Sequence, residues 1–296
     1  MPTEPAVPTE PAPAGRILVL GATGTTGRRL TARLRAGGAT VLAASRAGRT
    51  GCAGALPVRF DWYDAATHDA ALAGADRLYL IPPVGDPDPA AVVLPFLRRA
   101  RAAGVRRVVL LSSSAVPAGG PAVGEVHAAL PGLVPEWAVL RPSWFMQNFT
   151  GDHLHARSAR REGVLRTATG DGRVAFVDAG DIAAVAAAAL TAPTAPDAEL
   201  VITGPRALSY DQVAEELTRA GSRPVVHERL SLPAMTDHLA RELPRPFAEL
   251  LAGLDAAVAR GEEAGVTDTV LRVTGRPPRD FAAVLAAEPP LAAARG

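Results

Sequence analysis

The sequence predicts an α/β protein built on a doubly wound parallel sheet, followed by a smaller, mostly helical lobe. Two observations carry this. Short, unbroken apolar runs recur through the first half of the chain, as expected of parallel strands buried on both faces. Between them, apolar residues return at the helical period. Strands alternating with helices in this way form a parallel sheet covered on both sides. After residue 150 the apolar runs thin out and helical patterning dominates.

The first run spans 17–20 and breaks at Gly21, after which glycines recur at Gly24 and Gly27. A helical pattern then opens, with Leu30 and Leu34 on one face and Arg28, Arg29, Arg33 and Arg35 on the other. A strand feeding a glycine-rich turn feeding a helix is an anion cradle. The turn lets backbone approach a pyrophosphate, and free N–H groups at the helix start point at the charge. Gly21, Thr23, Gly24, Thr25, Thr26 and Gly27 are therefore read as a dinucleotide site. The second strand, 40–44, ends in Ser45 and Arg46, with Arg49 close behind. An acidic residue there would hold the ribose 2′-hydroxyl of NAD. A hydroxyl with a guanidinium suits a 2′-phosphate instead, so the expected cofactor is NADP(H).

Further strands are expected at 58–61, at 77–81 (ending in Pro82 and Pro83), at 107–111 (ending in Ser112, Ser113 and Ser114) and at 137–140. Helix 90–103 carries Pro95 as a kink or restart. In such sheets ligands bind at the carboxyl ends of the strands. Residues 174–177 read as a strand, Asp181 as the cap of an all-round apolar helix over 182–190, and 200–203 as another strand. Ser209 and Gln212 make a capping box for a helix through Ala220. The chain from Leu232 is mostly helical, with a break at 274–281 before a last helix. The expected organisation is a disordered tail over 1–14 and a dinucleotide-binding domain over 15–150, to which 174–204 returns. Residues 151–173 and 205–296 form the smaller lobe.

Composition narrows the chemistry. The 296 residues hold 31 basic and 30 acidic side chains, and no basic stripe suggests nucleic acid. One cysteine, Cys52, excludes an internal disulfide and a cysteine metal cluster, and no metal is expected. The pair His153-x-His155 is read as part of a solvated segment. No apolar run reaches membrane length, and the Pro-Thr-Glu-Pro-Ala repeats of the tail lack the features of a secretion signal, so a cytoplasmic protein is expected. Every basic residue is Arg. No lysine can act as acid, base or Schiff-base former.

Several segments together resemble the NmrA-like family of atypical short-chain dehydrogenase/reductases. They are Val-Leu-Gly-Ala-Thr-Gly-Thr-Thr-Gly at 19–27, Phe-Asp-Trp at 60–62, Tyr-Leu-Ile-Pro-Pro at 79–83, Gly-Val-Arg-Arg-Val-Val-Leu-Leu-Ser-Ser at 104–113, Leu-Arg-Pro-Ser-Trp-Phe-Met-Gln-Asn-Phe at 140–149, Phe-Val-Asp-Ala-Gly-Asp-Ile-Ala at 176–183 and Thr-Gly-Arg-Pro-Pro-Arg at 274–279. The resemblance implies a Rossmann-type fold with Asp61, beside Trp62, at the adenine and Ile81, Pro82 and Pro83 along the cofactor. It also implies that Ser112 and Pro142 reach the cofactor, that 142–146 lies beside the nicotinamide, and that Ser113 stands where the family's serine stands. One departure matters. The Tyr-x-x-x-Lys pair of standard short-chain dehydrogenases is absent, and the tyrosines are Tyr63, Tyr79 and Tyr210.

The expected function is NADPH-dependent reduction of a conjugated carbonyl, a quinone or aromatic ketone, by direct hydride transfer. A natural-product intermediate would fit. Ser113 orients the acceptor and water supplies the proton. Trp144, Phe145, Met146 and Phe149 form an apolar pocket for a small aromatic substrate, with Gln147 as a polar contact. Glu125 and His127, where the Tyr would lie, are read as solvated. The alternative is a non-catalytic NADP(H)-sensing regulator acting through a protein partner.

Overall fold

The structure is a computed structural model that describes residues 15–221 and 223–288. The expected tail over 1–14 lies outside the described residues. In chain order the elements are β1 (Arg16–Val19), α1 (Thr25–Ala36), β2 (Thr40–Ser45), β3 (Leu56–Arg59), α2 (His68–Leu72), β4 (Ala75–Leu80), α3 (Ala90–Ala102), β5 (Arg107–Leu111), α4 (Val123–Leu133) and β6 (Glu136–Pro142). They continue with α5 (Leu154–Glu162), β7 (Val164–Thr167), β8 (Arg173–Val174), α6 (Ala179–Thr191), β9 (Ala198–Ile202), β10 (Leu208–Ser209), α7 (Tyr210–Ala220) and β11 (Val226–Arg229). Four helices close the described chain: α8 (Leu232–Leu239), α9 (Arg245–Ala259), α10 (Thr269–Thr274) and α11 (Phe281–Ala287).

Seven strands form one parallel sheet in the order β3-β2-β1-β4-β5-β6-β9. The chain winds outward from β1 to β3 and returns to lay β4 on the other side of β1. That reversal opens a crevice at the carboxyl ends of β1 and β4, where doubly wound sheets take their ligands. Alternate strand residues feed two cores. Ile17, Val41, Val109 and Leu140 pack beneath α1, α6 and α10 through Leu30, Ile182, Val185 and Val270. Leu18, Leu78, Leu110 and Val139 pack beneath α2, α3 and α4 through Leu72, Phe96, Leu97 and Val126.

Outside the sheet, Phe149, Phe176, Tyr210, Val213 and Phe281 build a third cluster, and α8 and α9 enclose a fourth. The capping box at Ser209 forms as read. The Gln212 N–H donates to Ser209 Oγ at 3.3 Å, and the Ser209 N–H donates to Gln212 Oε1 at 3.0 Å.

Three local expectations change. Helix α3 runs through Pro95 without a break. The expected strand over 174–177 is broken up: the short strand β8, paired with β10, ends at Val174, and Val177 makes a lone bridge to Phe145. The N-cap of α6 is Asp178, one turn before Asp181, which sits inside the first turn.

Candidate functional site

The glycine turn is fixed by main-chain bonds to both neighbouring strand ends. Leu20 N–H donates to Tyr79 O at 3.1 Å and Ala22 N–H to Ala44 O at 3.0 Å. Gly21 sits at φ 61°, a left-handed conformation that glycine takes without strain. Helix α1 starts at Gly24 with no side-chain cap and no acidic residue in its first turn. Its positive end is thus presented bare beside exposed Thr23, Gly24 and Thr25.

The glycines divide their work. A Cβ on Gly24 would meet only Gly21 O, at 3.2 Å, so the space in front of the turn is open there. A Cβ on Gly27 would lie 2.1 Å from Gly21 O, so Gly27 serves helix packing. Thr26 is buried and takes a hydrogen bond from the Tyr79 hydroxyl at 3.2 Å; it can offer a ligand its main chain alone.

At the end of β2 the Ser45 hydroxyl closes a turn. It donates to Arg49 O at 2.7 Å and accepts from Arg49 N–H at 3.0 Å, which leaves Arg46 fully displayed. Asp61 follows β3 half-buried, its carboxylate accepting the Tyr63 N–H at 3.0 Å. Trp62 joins this edge to the next, donating from its indole to Ile81 O at 3.2 Å. Ile81, Pro82 and Pro83 are half-buried along the exit of β4. Arg28 and Arg29, placed from the sequence on the helix face opposite Leu30 and Leu34, line a cleft of about 750 Å³ with Thr23 and Cys52. Arg29 is paired there with Glu288.

Strands β5 and β6 bring the serines to the same edge. Ser112 Oγ is buried without a hydrogen-bond partner among the described residues, as is Ser143 Oγ. Ser113 Oγ accepts the Ala115 N–H at 3.3 Å and donates to no acceptor among the described residues. Arg141 clamps the loop, donating to Ser113 O at 3.3 Å and Ser114 O at 2.8 Å. Its remaining arm pairs with Glu199, which also meets His127 Nε2 at 3.0 Å. His127 is therefore buried behind the sheet, contrary to its reading as solvated, while Glu125 on the same helix is exposed.

Pro142 is buried beside these serines and accepts the Ser114 N–H at 2.9 Å. Trp144 and Phe145 remain half-buried and span from the lobe cluster to the sheet core. Met146 and Phe149 are buried in the third cluster rather than exposed to a ligand, with Phe149 stacked on His155 and edge-on to Phe176, Tyr210 and Phe281.

Gln147 is likewise structural. It donates to Asp178 Oδ1 at 2.8 Å and accepts the Ala179 N–H at 2.8 Å. Arg279 completes that junction, bonding Asp178 at 3.0 Å and giving its N–H to Asp181 at 2.7 Å. Burial, with Asp178 nearby, pushes the Asp181 carboxyl up to about 6. His155 is stacked on Phe149, and burial pushes its imidazole down to about 3, so it stays neutral. No group of three or more metal-ligating side chains forms among the described residues.

The tyrosines stand elsewhere. Tyr79 is locked in the sheet, Tyr210 in the lobe cluster, and the Tyr63 hydroxyl is held by Asp86 at 2.6 Å.

The bare helix start, the open cradle at Gly24 and the orphaned Ser112 hydroxyl fit a bound dinucleotide at the switch point of the sheet. They define a dinucleotide-binding α/β protein. Comparison with known proteins agrees. The NAD dependent epimerase/dehydratase family matches residues 17–131. An uncharacterized oxidoreductase of Bacillus subtilis, YesF, is 43% identical over 92% of this chain and 95% of its own length. Festuclavine synthase II of Penicillium roqueforti is 37% identical over 90% and 95%. The NADPH-dependent quinone oxidoreductase QOR2 of Escherichia coli, solved with NADPH, superimposes with a TM-score of 0.78 at 24% identity, over 92% of this chain and 99% of its own. The chain belongs to the atypical short-chain dehydrogenase/reductases, in their NmrA-like branch, and is an NAD(P)H-dependent oxidoreductase. No described helix is long and apolar enough to cross a membrane.

Proposed function

We propose that this protein uses NADPH to reduce a small conjugated carbonyl, a quinone or aromatic ketone, by direct hydride transfer. The observation that carries the reading is the absence of a Tyr/Lys pair at the serine edge. The chain has no lysine, and each tyrosine is committed elsewhere. An acceptor whose conjugation spreads the developing negative charge needs the least help from a protein acid.

The bound nicotinamide supplies the hydride, and the chain binds, orients and screens. Gly24 and the start of α1 hold the pyrophosphate. Arg46 and Arg49 meet the 2′-phosphate with charge-assisted bonds. Asp61 and Trp62 take the adenine side, and Ile81, Pro82, Pro83, Ser112 and Pro142 border the cofactor's path. Ser113 gives its hydroxyl proton as a hydrogen bond to the acceptor oxygen, so that the carbon is held for transfer. Trp144 and Phe145 form the apolar wall. The Escherichia coli quinone oxidoreductase QOR2, a protein of similar fold solved with NADPH, is in keeping with this choice. The test is an NADPH-oxidation screen against quinones and aryl ketones. Oxidation with matching loss of acceptor supports the reading, and a protein that binds NADPH yet reduces no member of either class contradicts it.

A further inference from the structure

The sequence leaves water as the proton source. Glu263 changes that. It lies in the turn between α9 and α10, some 150 residues along the chain from the serines, yet only 8% of it is exposed. Its Oε2 accepts the Ser114 hydroxyl at 2.7 Å. Both partners are held firmly. Ser114 N–H donates to Pro142 O at 2.9 Å and Ser114 O accepts from Arg141 at 2.8 Å, while Glu263 O accepts the Ala175 N–H at 3.1 Å. No arginine forms an ion pair with the Glu263 carboxylate among the described residues, although Arg141 is near.

We propose that Glu263 is the positioning residue that loads Ser114 with the proton for reduction, so that the reaction draws its proton from the lobe rather than directly from water. This rests on the hydride-transfer reading above. The acceptor carbon gains a hydride with its electron pair from the reduced nicotinamide, and the carbonyl π pair moves to oxygen. That oxygen takes the Ser114 hydroxyl proton, Ser114 Oγ takes the carboxyl proton of Glu263, and water reprotonates the Glu263 carboxylate before the next turnover. The direction of the Ser114–Glu263 bond reverses with the carboxyl's state. When Glu263 is protonated it donates to Oγ, and the Ser114 proton is released toward the acceptor.

The electrostatics favour this cycle. Burial raises the Glu263 carboxyl above its ordinary range and Glu262, on the same turn, adds to the rise; the Ser114 bond and Arg141 from β6 oppose it. Turnover dependent on the protonated carboxyl is high below the Glu263 pKa and falls as pH rises through it.

The test compares wild type with Glu263→Gln, Glu263→Asp and Ser114→Ala in steady-state turnover of an aryl ketone at saturating NADPH, across pH. The amide keeps the shape and a hydrogen bond to Ser114 but has no proton to give. Glu263→Gln should lower kcat about 100-fold or more, leave NADPH affinity unchanged and abolish the alkaline fall in kcat. Glu263→Asp should recover part of the rate with a shifted profile. If Glu263→Gln does not fold, Ser114→Ala must show the same flat profile. A Glu263→Gln or, failing that, Ser114→Ala enzyme with wild-type kcat and an unchanged pH profile overturns the proposal. Failure of the wild type itself to reduce any acceptor overturns the underlying reduction reading instead.

Discussion

A single Cβ placed on either of two glycines separates the binding role of the turn from its packing role. In Gly24→Ala the new carbon meets Gly21 O at 3.2 Å and nothing else within 4 Å. A shift of a few tenths of an ångström relieves it, and Gly24 is an N-cap where alanine is merely a poorer choice. The fold should lose no more than about 1 kcal/mol. The same carbon intrudes where the pyrophosphate must approach. Displacing one charge-assisted N–H bond costs roughly 1.5–3 kcal/mol, or about 10- to 150-fold in Kd.

In Gly27→Ala the Cβ would lie 2.1 Å from Gly21 O, 2.8 Å from Gly21 C and 3.0 Å from Ala22 Cα, all backbone. Overpacking of that kind costs about 1–3 kcal/mol or more. Urea unfolding and NADPH fluorescence titration on both variants read the two effects. Gly24→Ala should be nearly as stable as wild type and bind weakly, and Gly27→Ala should be clearly destabilised. Wild-type NADPH affinity in a folded Gly24→Ala protein would refute the assignment of the cradle.

Arg46→Ala should weaken NADPH binding by roughly 1.5–3 kcal/mol and leave NADH unaffected, read by parallel titrations; equal affinity of the wild type for both cofactors would remove the 2′-phosphate role. Tyr79→Phe should retain turnover and lose about 1 kcal/mol of stability from the Tyr79–Thr26 bond, and Tyr63→Phe should retain turnover too; a kcat loss near 100-fold in either would restore a tyrosine acid. Burial pushes the Asp255 carboxyl from 3.8 to about 6, so the folded chain holds that proton more tightly than the unfolded one. Its stabilising contribution is complete below about pH 3.8 and is lost as pH rises through about 6. The shift corresponds to about 3 kcal/mol. Asp255→Asn, which keeps an oxygen for the Ala168 N–H, should unfold at higher urea than wild type near pH 8, and the gap should close near pH 4.

What the sequence could disclose follows the range of the interactions. Gly21, Gly24, Gly27, the strand before them and the helix after them are local, so the strand–turn–helix unit was legible. The exits of β2, β4 and β5 were found for the same reason, each marked by a change from an apolar run to Ser45-Arg46, Pro82-Pro83 or Ser112-Ser113. Met146 and Phe149 were misread because an aromatic cluster has the same pattern whether it lines a pocket or fills a core. Their burial depends on Phe176, Tyr210 and Phe281, which arrive much later in the chain. Gln147 was misread for a similar reason, since Asp178 and Ala179 claim its amide. His127 looked solvated because nothing local shows that Glu199, on the last sheet strand, waits behind α4. Glu263 carried no signal at all, being one acid among many until the fold set it against Ser114.

Direct hydride transfer from NADPH is tested most closely by isotope transfer. The protein is given an aromatic ketone and NADPH deuterated at the reactive C4 position of the nicotinamide, in ordinary water, and the alcohol product is analysed by mass spectrometry and NMR. One deuterium per turnover should appear on the carbinol carbon, with none on oxygen after exchange. An alcohol whose new C–H hydrogen comes from water, or NADPH consumption without a reduced product, would contradict direct transfer.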